Sequence, residues 1–166
     1  MEVNNISDKS KYGFLLAQES MPRMLEGRGD FLPNATQLAL DYFSKSEERF
    51  FLMIEGSQVD WGGHANDEDY LVSELIDFDN AIGKALDFAE KDGNTLVIVT
   101  ADHETGGFTL APNEGDYDDI KGVFSTNGHS ATLIPVFAYG PGAELFGGIY
   151  ENTGFFYKML EAAKMD

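Results

Sequence analysis

Three histidines, His64, His103 and His129, are all this 166-residue chain contains, and there is no cysteine. Thiolate metal sites, disulfides and a cysteine nucleophile are therefore excluded. His64 follows Asp60 by four residues, His103 directly follows Asp102, and His129 sits in Asn127-Gly-His129. Imidazole together with carboxylate suits zinc, and carboxylates alone suit magnesium. The spacing Glu55-x4-Asp60-x3-His64 offers three ligands of different hardness from one short stretch. Two plainer readings stand beside this one. Asp60 and His64 can form a simple ion pair, and Asp102-His103 can be a hydrogen-bonded surface turn.

These residues must be placed by the elements around them. Residues 95–100 are an apolar, β-branched run that ends in Asp102, His103 and the pair Gly106-Gly107. Such a run reads as a strand buried on both faces of a parallel sheet. Residues 50–54 form a second such strand, closed by Glu55-Gly56. A glutamate there is costly to bury unless it is paired or bound to a cation. Residues 12–17 are a third strand candidate. Between them, Asn34 is expected to cap a helix with Ala35, Leu38, Ala39, Tyr42 and Phe43 on one face. Residues 56–66 read as a loop. Asn66 is then expected to cap a long helix over 67–91, with acids in its first turn and Gly93 at its end. Its apolar stripe is Leu71, Leu75, Phe78, Ile82, Leu86 and Ala89.

Strand, helix, strand, helix, strand predicts right-handed crossovers and a parallel sheet, with 50–54 and 95–100 adjacent or nearly so. Ligands bind beyond the carboxyl ends of such strands, so Glu55 and Asp102 are expected at one end of the sheet. His64 and His103 then reach a shared dinuclear site with metals about 4 Å apart. Residues 104–132 read as loop-rich, with a solvated acidic patch over 114–119. Residues 133–139 read as a strand weakened by Pro135. Residues 153–165 read as a final helix with Phe156, Met159, Leu160 and Ala163 inward.

Composition bounds the alternatives. The length and an apolar content of 43% suit one domain over residues 1–166. A formal charge of −18 argues against nucleic acid as a partner. The bland reading of most acids is solubility, and Arg23 and Arg28 read as surface ion-pair partners. No apolar run is long enough to read as a membrane span, and the first residues do not read as a signal peptide.

Phe51-Leu-Met-Ile-Glu-Gly56 with Asp60 and His64, then Thr100-Ala-Asp-His103, Gly128-His129 and Ala138-Tyr-Gly-Pro141, resemble the C-terminal part of alkaline phosphatase. The resemblance covers about residues 12–164. It implies a layered α/β/α fold with a mostly parallel central sheet, two zinc ions, one magnesium ion and phosphate monoesters as substrates. By that resemblance Glu55 is a magnesium ligand. Asp60, His64 and His129 hold the first zinc, and Asp102 and His103 belong to the second. Trp61 is expected to shape the surroundings of the first zinc without binding it.

The family's nucleophile is a serine after an aspartate, and this sequence contains no Asp-Ser pair. The family's magnesium-binding threonine and phosphate-clamping arginine also lie in its N-terminal half, and neither Arg23 nor Arg28 takes that role. The chain is thus expected to be a C-terminal fragment, inactive alone, whose partner is the missing N-terminal half. An apolar face left open would be covered by that half, by strand exchange or in a homodimer. The parent is expected outside the cytoplasm, periplasmic or secreted. Two other readings remain: a related phosphodiesterase, sulfatase or phosphomutase, and a non-catalytic acidic metal-binding module.

Overall fold

The computed structural model describes residues 13–165. The described residues contain four α-helices: α1 (Phe31–Phe43), α2 (Gln58–Ala65), α3 (Glu68–Asp92) and α4 (Gly154–Ala163). Six short strands follow α3: β1 (Val97–Val99), β2 (Glu104–Thr105), β3 (Thr109–Asn113), β4 (Asp116–Val123), β5 (His129–Ser130) and β6 (Phe137–Tyr139). Short 3-10 turns lie at Met24–Glu26 and Ala143–Phe146.

Helix α3 is the spine, with α1, α2 and the Met24–Glu26 turn packed along it. Asp67 is its N-cap, accepting a hydrogen bond from the Tyr70 amide at 3.0 Å. Gly93 closes it with φ 71°, the left-handed conformation that glycine adopts without strain. Asn66 has a different task from the one expected. It is the left-handed C-cap of α2 (φ 50°), so one short link ends one helix and starts the next.

The buried face of α3 runs through Tyr70, Glu74, Asp77 and Ala81, with Leu71 and Ala89 beside it. It is turned away from part of the expected stripe, since Leu75 is 48% exposed. The cause is Arg28, whose Nη2 binds Glu74 and lies 2.9 Å from Asp77. Paired this way, two acids can be buried among apolar groups. Burial opposes the Arg28 charge, but the hydrogen bonds and attraction from Glu74 and Asp77 outweigh it and hold the guanidinium above its ordinary pKa. Arg28 is therefore a buried cation and not the expected surface partner.

The strands depart furthest from expectation. β1 lies within residues 95–100, but it pairs antiparallel with β6, Ile98 opposite Ala138. β2 pairs with β5 and β3 with β4, both antiparallel, so the described strands form three separate pairs. Residues 50–54 form no strand and make no parallel pair with β1. A strand needs hydrogen-bonded partners for its backbone groups, and that run pairs with none of the described strands. The argument that set Glu55 and Asp102 at one sheet end lapses with that pair. Tyr12 lies outside the described residues, and residues 13–17 form no strand.

Other corrections are local. α1 starts at Phe31, and Asn34 lies inside it, because Pro33 is accommodated in the first turn. Its buried positions are Pro33, Thr36 and Leu40. Within the supposedly loop-rich stretch, β3 and β4 make a hairpin across Glu114-Gly115, both at positive φ. That is the backbone a two-residue hairpin loop requires. The acids of residues 116–119 lie on β4 and are exposed. In α4, Phe155 faces inward against Phe146 and Tyr150, whereas Phe156 is exposed.

Candidate metal centre

Residues 56–66 are mainly helix, not loop, and that change builds the site. Asp60 lies in the first turn of α2 and His64 in its last. A spacing of four residues puts both side chains on one helical face. α2 carries Gly62 and Gly63 where it touches its neighbours. A Cβ on Gly62 would stand 2.7 Å from the Leu71 backbone, and one on Gly63 would stand 2.9 Å from the Thr105 carbonyl oxygen. The two glycines let α2 lie directly on α3 and on β2. In the β2–β5 pair Thr105 is opposite His129, which carries the third histidine to the same place.

Three donor atoms converge there. His64 Nε2 lies 3.2 Å from His129 Nε2 and 3.5 Å from Asp60 Oδ1, and His129 Nε2 lies 3.8 Å from Asp60 Oδ1. A tetrahedral ion with bonds of about 2.05 Å keeps its ligands about 3.3 Å apart, so the donor set suits zinc. The tautomer agrees. His64 Nδ1 is 2.7 Å from the Asn127 carbonyl oxygen, which can only accept, so Nδ1 carries the proton. In the neutral ring that leaves the Nε2 lone pair facing the cluster. His64 and His129 are exposed and Asp60 is half-buried, so the centre is open to an ion.

His103 flanks this group. Its ring stacks on His129 with centroids 3.6 Å apart and planes inclined by 23°. Its Nε2 is 3.4 Å from Asp102 Oδ2, giving a second donor pair next to the first cluster. Glu55 is not among the converging donors. It borders a cavity of about 310 Å³ shared with Trp61, Gln58, Arg28 and Glu74. The structure thus joins Asp60, His64 and His129 in one group, stacks His103 on it beside Asp102, and sets Glu55 apart. The histidines are not all in loops, since His64 lies in the last turn of a helix and His129 starts a strand.

Sequence reasoning missed the supports. The Thr105 hydroxyl donates to Asp60 Oδ1 and lies 3.2 Å from His103 Nδ1. Glu104 accepts from the Ser130 hydroxyl and, at 3.1 Å, from the Phe108 amide. The Ser130 hydrogen bond, against a smaller opposing effect of burial, lowers the Glu104 pKa below its ordinary value. Neither residue type stands out in the sequence. Only the pairing of β2 with β5 reveals them.

The family model described as alkaline phosphatase matches residues 5–122. Alkaline phosphatase 4 of Bacillus subtilis is 32% identical over 203 residues, covering 80% of this chain and 44% of that protein. Alkaline phosphatase of Escherichia coli is 33% identical over 154 residues, covering 81% of this chain and 33% of that protein. Among solved structures, alkaline phosphatase from the Antarctic bacterium TAB5 is 62% identical with a TM-score of 0.89, covering 93% of this chain and 46% of that one. A histidine-to-glutamate mutant of that enzyme, described with Mg bound in the M3 site, is also 62% identical, with a TM-score of 0.88, covering 93% of this chain and 47% of that one. The chain spans less than half the length of these relatives. Because the family match takes in α1 to α3, β1 to β3 and most of β4, and the backbone follows a solved relative closely, the chain belongs to the alkaline phosphatase family.

Proposed function

We propose that this chain is part of a zinc- and magnesium-dependent alkaline phosphatase that hydrolyses phosphate monoesters. The observation that carries the reading is the convergence of Asp60, His64 and His129 from α2 and β5. These three would hold the first zinc. Asp102 and His103 would hold the second with help from outside this chain, and Glu55 would contribute to magnesium. When bound, the ions supply Lewis-acid stabilisation of charge on the attacking, phosphoryl and leaving oxygens. Dications of total charge about +6 also invert the local field of an acidic chain facing an anionic substrate.

The chain's own residues bind and orient. The His64 ring is held by the Asn127 carbonyl with Nε2 aimed at the centre. The Asp60 carboxylate is held by Thr105. The serine nucleophile would come from the portion of the enzyme that this chain does not span. With that portion in place, a mostly parallel central sheet in a layered α/β/α arrangement is the fold we assign to the whole. An extracytoplasmic location and a homodimeric state belong to the same proposal. Among the described residues no helix is long and apolar enough to cross a membrane.

Zinc calorimetry tests the reading. One tight site is expected, lost in His64→Ala and in His129→Ala and kept in Asp118→Ala on the acidic hairpin. Unchanged affinity in both histidine variants would remove the first site, and equal losses in all three would favour a general acidic metal-binding module.

A further inference from the structure

We propose that Thr105 is a positioning residue shared by both zinc sites, its hydroxyl fixing the ring tautomer of His103 while orienting the Asp60 carboxylate. The inference rests on the zinc reading for its purpose but on hydrogen-bond chemistry for its content. Thr105 Oγ1 contacts Asp60 Oδ1 and lies 3.2 Å from His103 Nδ1. A carboxylate only accepts, and a hydroxyl has a single proton to give. That proton goes to Asp60, so Oγ1 must accept from His103, and Nδ1 must carry the hydrogen. The neutral ring then presents an Nε2 lone pair.

That lone pair faces Asp102 Oδ2 at 3.4 Å. Two lone pairs side by side are a half-site for a cation. With the opposite tautomer, Nε2–H would donate to Asp102 and the two groups would close into an ordinary hydrogen-bonded pair. Thr105 thus decides whether Asp102 and His103 are ligands or partners. Its location lets one hydroxyl serve both sites. β2 brings it opposite His129, and Gly63 of α2 lies against its backbone and side chain. Ligands from α2, from the link between β1 and β2, and from β5 therefore meet around one side chain.

Ring-nitrogen NMR on the 166-residue chain tests this, with labelled histidine, chelator-stripped, at pH 8, where an ordinary imidazole is neutral. Three histidines give three ring systems, assigned with single His→Gln variants. The expected result is His103 protonated at Nδ1 alone, a shift toward Nε2–H in Thr105→Val, and recovery in Thr105→Ser. Zinc affinity is expected to fall about 10- to 100-fold in Thr105→Val and to recover in Thr105→Ser. Nε2–H, or protons on both nitrogens, in the unaltered chain would overturn the proposal. So would a Thr105→Val variant with unchanged tautomer or unchanged zinc affinity. If Thr105→Val fails to fold by circular dichroism, the tautomer in the unaltered chain and in Thr105→Ser still decides. A chain that binds no zinc would sink the proposed function, while the metal-free tautomer would still judge Thr105.

Discussion

Arg28 reaches from the segment before α1 to two acids on α3, and its side chain is only 7% exposed. Glu74 and Asp77 are more buried still, at 3% and 2%. In Arg28→Ala both carboxylates would be left without a counter-charge, which typically costs about 3–5 kcal/mol. Urea unfolding is expected to show a loss of that size, and a loss under 1 kcal/mol would mean that water or rearrangement replaces the arginine. Tyr70, next along the same buried line, donates from its hydroxyl to Gln58 Oε1 at 2.7 Å. Burial pushes its phenol above the ordinary value of 10.0, against the lowering effect of Arg23, whose guanidinium lies over the ring. With the folded-state pKa raised, the stability from neutral Tyr70 is full below about pH 10 and is lost as pH rises through the folded value. Melting temperature is therefore expected to fall above pH 10, and less steeply in Tyr70→Phe. Identical alkaline slopes would assign the fall to other groups.

At the scale of elements, the centre depends on how closely α2 approaches β2. A methyl group on Gly63 would stand 2.9 Å from the Thr105 carbonyl oxygen and 3.0 Å from its Cβ and Cγ2. The strand backbone has little room to yield, so Gly63→Ala should part α2 from β2 and move Asp60 away from Thr105. The expected loss of zinc affinity is at least about tenfold, with helix content kept, because displaced supports of metal ligands typically cost that much. Gly83→Ala on α3, where a Cβ meets nothing within 4 Å, should leave zinc affinity unchanged. Calorimetry on both variants checks the pair. Gly62 and Gly63 also hid α2 from sequence reasoning. Each costs a helix about 1 kcal/mol relative to alanine, so Trp61-Gly-Gly-His64 reads as a loop until its packing is known. α3 was legible because its acidic start, periodicity and terminal glycine all agree. The hairpin was not, since Pro112 interrupts it and its loop is Glu114-Gly115 in place of the usual Asn-Gly. Asp60, His64 and His129, which converge in space, stood out in the sequence by residue type. Their supports were not, because Thr105 becomes informative only through contacts with residues far along the chain. Apolar runs do not encode their partners, which is why a parallel pairing was expected where β1 in fact meets β6 antiparallel.

For the whole molecule, the informative feature is apolar surface. Phe51 and Met53 are 75% and 77% exposed, and Leu133 and Phe137 are 73% and 64% exposed. Side chains of this size are normally covered, and isolated exceptions would carry little weight. Here the exposed groups include alternate residues of the unpaired run 50–54 and one residue of β6, a strand paired on one side only. Relatives more than twice as long as this chain have further sequence available to cover such surfaces. The proposed function therefore predicts two behaviours of the chain alone. In buffer with zinc and magnesium it should hydrolyse an aryl phosphate monoester no faster than the buffer does, because loss of a nucleophile that acts as a unit with its metals costs several orders of magnitude. It should also self-associate with rising concentration in sedimentation experiments. Supplying the complementary N-terminal portion of the TAB5 enzyme, 62% identical to this chain over the part they share, should restore turnover and suppress the self-association together. Restored turnover must then disappear in His103→Ala. Robust turnover by the chain alone, retained through purification and abolished by His103→Ala, would show that a complete catalytic set already lies within these 166 residues, and the division of labour proposed here would be wrong.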